Sequence, residues 1–131
     1  MAVYQGVTLM GTTPDNGLTF VLDNAIVEND EGKLVTQDKS AANKVKLCGD
    51  GDPILGKLFK YEERTVEQVK LGSVKLVGGM LFPVASDQTL NVGDKVIGAA
   101  GGYCRKVTSD EKSDIAVWEV RSDGVVVIKN S

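Results

Sequence analysis

Apolar and polar residues alternate along much of this chain with the two-residue period of β-strands. In ILGKLFKYEE, residues 54–63, Ile54, Gly56, Leu58 and Lys60 fall on one face and Leu55, Lys57, Phe59 and Tyr61 on the other. RTVEQVKLG, residues 64–72, sets Val66 and Gln68 against Val69 and Leu71, which predicts a half-buried strand with a bulge. Shorter apolar runs lie at 18–22 (LTFVL), 25–27 (AIV), 45–48 (VKLC), 73–77 (SVKLV), 115–120 (IAVWEV) and 125–129 (VVVIK). MLFPVA, residues 80–85, contains Pro83, which cannot donate to a ladder and assigns this run to an edge strand or a strand end.

The punctuation between the runs is that of tight turns. GTTPDNG at 11–17, Asp23-Asn24, NDEGK at 29–33, GDGDP at 49–53, Gly78-Gly79, Gly93-Asp94, Gly101-Gly102 and Ser122-Asp123-Gly124 each interrupt the alternation. SDEKSD, residues 109–114, reads as a charged loop. Asp23-Asn24 and Ser122-Asp123-Gly124 are expected to close hairpins. The least β-like stretch is LVTQDKSAANK, 34–44, for which a short helix or a loop is expected, with Ser40 as a cap. It marks the expected boundary between an N-terminal segment, 1–44, and a denser β domain, 45–131. The first ten residues, MAVYQGVTLM, place Val3, Gln5, Val7 and Leu9 opposite Tyr4, Gly6, Thr8 and Met10. They read as a strand or as an extended arm that adds to another sheet. Nine or ten strands at this spacing predict an all-β fold, a small β-barrel or β-sandwich with at most one short helix.

Composition sharpens the picture. Val, Ile and Thr make up 32 of 131 residues, and 15 Gly stand against seven aromatics, which favours strands joined by tight turns. The chain contains no His. That excludes Ser-His and Cys-His nucleophile pairs, His-containing zinc sites and imidazole general-base catalysis. A net charge of −3 argues against a broad basic face for nucleic acid. No run approaches the length of a membrane-spanning helix, and the N-terminus lacks the cationic start and apolar core of a secretion signal. Cys48 and Cys104 are too few for a disulfide scaffold and read as small buried thiols. A bridge between them depends on geometry that spacing does not give.

Candidate chemistry fails on its own requirements. Gly51-Asp52-Pro53-Ile54-Leu55-Gly56-Lys57-Leu58 has the glycine and lysine spacing of a phosphate loop, but Leu58 replaces the Mg²⁺-binding hydroxyl and a strand follows instead of a helix. Asn29-Asp30-Glu31-Gly32 does not fit a Ca²⁺ loop, and Asp50 with Asp52 offers too few ligands. Glu62, Glu63 and Glu67 read as a solvated strand face and not as a glycosidase pair. Ser40 and Lys44 are four apart, one more than the Ser-x-x-Lys nucleophile spacing requires. No catalytic residue, cofactor or metal site is expected. Trp118, the single Trp, is expected in the core, with an interface anchor as the alternative.

The order of several short motifs resembles that of the small head decoration, or capsid cement, proteins of tailed bacteriophages and prophages. They are Gly51-Asp52-Pro53-Ile54-Leu55-Gly56 with Phe59-Lys60-Tyr61-Glu62, then Val66-Glu67-Gln68-Val69, Gly72-Ser73-Val74, Pro83-Val84, Val92-Gly93-Asp94-Lys95-Val96 and a closing Val125-Val126-Val127-Ile128. The resemblance spans residues 45–129. It implies a β-rich fold, no catalysis and attachment to the major capsid protein on the outside of a phage head made in a bacterial cytoplasm. It also implies self-association, with a trimer favoured over a dimer. An extended arm suits such attachment, because main-chain pairing gives affinity without a pocket. The candidate capsid contacts are therefore Val3, Tyr4, Val7 and Leu9. The competing expectations are another virion part, from the tail or head-completion machinery, a small-ligand or carbohydrate-binding β module, and a carboxylate hydrolase.

Overall fold

Among the described residues, ten strands form where β-branched and other apolar residues alternate with polar ones, and almost every connection carries Gly, Asp or Asn. The structure, a computed structural model, describes residues 17–64 and 69–130. The strands are β1 (Gly17–Leu22), β2 (Leu34–Gln37), β3 (Lys44–Leu47), β4 (Gly56–Arg64), β5 (Val69–Lys75), β6 (Gly78–Phe82), β7 (Val96–Ala99), β8 (Tyr103–Lys106), β9 (Val117–Arg121) and β10 (Gly124–Lys129). One 3-10 turn spans Glu28–Asp30. The expected all-β class and small barrel are what the chain adopts.

β1 to β5 close a barrel in the order β1-β3-β2-β4-β5, with β5 returning to β1. β1 runs parallel to β3 and antiparallel to β5, so the chain crosses over between β1 and β3. Asp23-Asn24 therefore closes no hairpin. Instead the Asp23 carboxylate accepts the Ala25 N–H, and the 25–27 run leads into the 3-10 turn with Ile26 buried. The 34–44 stretch is likewise corrected. It forms β2, a turn and the start of β3, an antiparallel pair with Val35 opposite Leu47. Its large apolar residues, Leu34 and Val35, are both fully buried, and tertiary burial overrides the polar composition that suggested a helix or loop. The barrel thus takes strands from both sides of residue 44.

β4 bulges at Phe59, between Leu58 and Lys60, where the register to β5 shifts. The bulge resets the alternation by one residue. Leu58 faces the barrel core, Phe59 is exposed, and Tyr61 packs against the core in place of Lys60, which strict alternation put on Leu58's face. The bulge expected within 64–72 falls partly on residues outside those described. The expected SVKLV run begins inside β5, which is continuous from Val69 to Lys75.

Residues 78–129 form a three-stranded sheet, β6-β10-β9, and a two-stranded one, β7-β8. β6 ends at Phe82, directly before Pro83, and lies at the sheet edge as the proline requires. Ser122-Asp123 joins β9 to β10 as the expected hairpin turn. Two cores result. Leu22, Ile26, Val35, Val45, Leu58 and Val74 fill the barrel. Met80, Phe82, Val96, Val117, Val125 and Val127 pack with Leu34, Cys48 and Cys104 in the second core. β2 is the wall between them, because Leu34 belongs to one core and Val35 to the other. The 49–53 turn joins the two parts: Gly51 donates its N–H to the Gly98 carbonyl, and Gly98 donates to Asp52, both at 2.9 Å.

Candidate functional site

The strand at the open side of the β6-β10-β9 sheet carries the most exposed apolar surface. Trp118, expected in the core, is 62% exposed and is corrected to a surface residue. Val117 faces the core, so alternation along β9 turns Trp118 outward, and a bulge follows at the same point. Val117 opposes Val127 and Glu119 opposes Val126, so Trp118 is the extra residue in the ladder with β10. Val120 is 49% exposed. Val92 is 66% exposed and adjoins the same strand, because Gly93 donates its N–H to the Val117 carbonyl at 2.9 Å. On the same strand the Arg121 Nε donates to Glu119 at 2.9 Å, and this contact holds the Glu119 carboxyl below its ordinary value.

Two clefts share the wall formed by Val84, Ala85 and Gln88. One, of about 330 Å³, lies between Thr89-Leu90 and the β9–β10 turn, with Val120 and Asp123 on its rim. The other, of about 630 Å³, is bounded by Asp50, Asp87, Tyr103 and Arg105. Trp118 lines neither. Arg105 is the most strongly held cation beside these clefts. Its Nε donates to Asp50 at 2.7 Å, and its Nη1 and Nη2 donate to Glu111 at 2.7 and 2.6 Å. Hydrogen bonding to Arg105, then to the Thr108 N–H, pulls the Glu111 carboxyl down to about 2. Four of the guanidinium's contacts are internal, counting the Lys106 carbonyl, so it serves as a clamp between β8 and two loops.

The other residues singled out from the sequence resolve into structural roles. The Gly51–Leu58 stretch is a turn leading into β4, and the Gly51 N–H that a phosphate would need is spent on Gly98. Asp52 accepts the Gly49 N–H at 2.8 Å while Asp50 reaches Arg105, so the two carboxylates serve different partners. Asp30 accepts the Val27 N–H and the Lys33 ammonium, and Glu31 accepts the Tyr61 N–H at 2.6 Å. The acidic 29–32 stretch thus ties the 3-10 turn to β4. Glu62 is exposed on β4, while Glu67 and the Glu63 side chain lie outside the described residues. Lys44 reaches the Ser40 hydroxyl at 3.4 Å across the β2–β3 turn. Among the described residues, no group of three potential metal ligands converges.

Cys48 and Cys104 are free, buried thiols of one core. Burial pushes both up to about 12, and Asp52 adds to the shift at Cys48. A different group of perturbed residues was not legible in sequence. Lys57 and Lys75 oppose each other across β4 and β5, and Lys75 donates to the Gly79 carbonyl at 3.0 Å. Desolvation holds both lysines, and Lys129 on β10, below the ordinary lysine value. The pairing of β4 with β5 brings Lys57 and Lys75 together, while Lys129 is placed by the pairing of β10 with β6. The expected arm contacts, Val3, Tyr4, Val7 and Leu9, lie outside the described residues.

No protein-family model, curated protein or solved structure matches the chain. No helix among the described residues is long and apolar enough to cross a membrane.

Proposed function

We propose that this protein is a capsid decoration protein, a clamp that binds the major capsid protein lattice on the outside of a tailed-phage head and stabilises it. The observation that carries the reading is where the exposed apolar surface lies. Of the six large apolar residues exposed among those described, Trp118, Val120 and Val92 lie on or beside β9, and only Val120 borders a cleft, which suits adhesion to another protein surface better than enclosure of a small molecule. The motifs behind the resemblance are consistent with a stiff body: the 51–56 turn joins the two cores, and the 92–96 turn pins the start of β9. A repeated shell multiplies a modest contact through avidity, so no deep pocket is required.

A small-ligand module is the second reading, favoured by the cleft beside Tyr103. Its cation, Arg105, is already engaged by Asp50 and Glu111, which weakens that reading.

The test is to mix the purified protein with expanded, undecorated phage heads. Saturable, symmetric density at copy numbers comparable to the shell protein is expected. Absence of binding rejects the reading, and binding in a few copies at one vertex assigns the protein to the tail or head-completion machinery. Deleting residues 1–12 is expected to leave a folded domain that binds the shell more weakly. Undiminished binding removes the arm from the proposal.

A further inference from the structure

Among the described residues, the outer edge of β9 is bonded at one end only. Arg121 and Gly124 flank the two-residue Ser122-Asp123 turn and form the bonded pair next to it. Bonded and non-bonded pairs alternate along an antiparallel ladder, so the Val120–Val125 pair is non-bonded and the Val120 N–H and C=O point away from β10. At the other end of the strand the same outward groups are occupied. Val117 donates to the Asp94 carbonyl and accepts from the Gly93 N–H, both at 2.9 Å. Among the described residues, no strand pairs with the outer edge from Trp118 to Arg121, a stretch that carries the exposed Trp118 and Val120.

Natural edge strands often carry charge that repels further strands. Here the two charges are opposite in sign and two residues apart, Glu119 and Arg121, on either side of Val120. An antiparallel strand of the same sequence, centred on Val120, sets Glu119 of each copy opposite Arg121 of the other. Val120 then exchanges both backbone hydrogen bonds with Val120 of the second copy, and Trp118 covers the Ser122 end of its neighbour's strand. The pattern is complementary to itself, as a two-fold interface demands, and an exposed Trp beside it supplies the apolar anchor.

We propose that the occupant of this edge is a second copy of the chain, joined β9 to β9 about a two-fold axis so that two three-stranded sheets become one of six. This contact pairs copies in twos, unlike the trimer that the resemblance implies, and it belongs to the free protein whether or not a shell is present.

The test uses the full chain and sedimentation across a wide concentration range, with Trp118 emission as a second readout, since it is the single Trp. A reversible species of twice 13.9 kDa is expected, with emission shifting to the blue as it forms. Glu119→Arg places like charges opposite each other and is expected to weaken association by about tenfold or more. Glu119→Arg with Arg121→Glu exchanges the charges and is expected to restore it to within about threefold of the parent. Both side chains are exposed, and far-UV circular dichroism checks that each variant is folded. A monomer at every concentration overturns the proposal. So does an oligomer, of any number, that is indifferent to Glu119→Arg, or a double variant no better than the single one.

Discussion

The Cδ1 of Leu58 occupies the space that a β-carbon on Gly72 would need: the two would lie 2.8 Å apart. The Leu22 Cδ1 and the Lys60 carbonyl oxygen would each lie 2.9 Å away. Gly72 faces the barrel interior on the same side of β5 as Val74, and its missing side chain makes room for leucines from β4 and β1. A leucine terminus can rotate away, but the backbone carbonyl of a paired strand cannot. Gly72→Ala is therefore expected to destabilise the fold by about 1–3 kcal/mol through overpacking, measured by urea denaturation.

Removing volume from either core is expected to cost more. Leu58 and Phe82 are both fully buried, one in each core. Leu58→Ala should lose about 2–5 kcal/mol and Phe82→Ala about 3–5 kcal/mol, on the same denaturation assay. If the barrel and the second core unfold as one unit, each variant shifts a single transition, as the shared wall at β2 requires.

Trp118→Ala behaves oppositely to a core Trp. The side chain stands outside the ladder on a bulge and is largely exposed, so its removal should change stability by no more than about 0.5 kcal/mol. A loss of several kcal/mol would return Trp118 to a packing role.

Acid acts through Glu111. Its carboxyl titrates near 2 in the folded protein against an ordinary 4.5, because Arg105 grips both oxygens. A depressed carboxylate gives its full stabilisation above 4.5 and loses it as pH falls from 4.5 through 2. Thermal melts over that window should show a falling midpoint, and Glu111→Gln should flatten the fall.

Alkali acts through the thiols with the reverse sign. Cys48 and Cys104 are pushed from 9.0 up to about 12, so the folded state holds their protons longer than the unfolded state does. Their contribution is complete below 9.0 and is lost as pH rises through 12. At pH near 8 a thiol reagent should label neither cysteine until denaturant is added. Rapid labelling of the native protein would contradict their burial.

Amino-acid order alone determined that this chain makes β-structure and where most of it turns. Val, Ile and Thr suit pleated surfaces, Gly-Asp and Gly-Gly pairs break them, and Pro83 marks a strand end, all of which are local effects. Local periodicity did not reveal Tyr61 in place of Lys60, or β2 within a stretch that reads as polar, and the apolar character of Trp118 misled where its place after the core-facing Val117 turned it outward. A bulge shifts the alternation by one residue, and whether one forms depends on the strand opposite. Partners far apart in the chain also decided the parallel pairing of β1 with β3 and the division into two cores. The open edge at Val120 belongs with them: a strand's own residues cannot specify which of its backbone groups are left without a neighbour, because that is set by the sheet it joins.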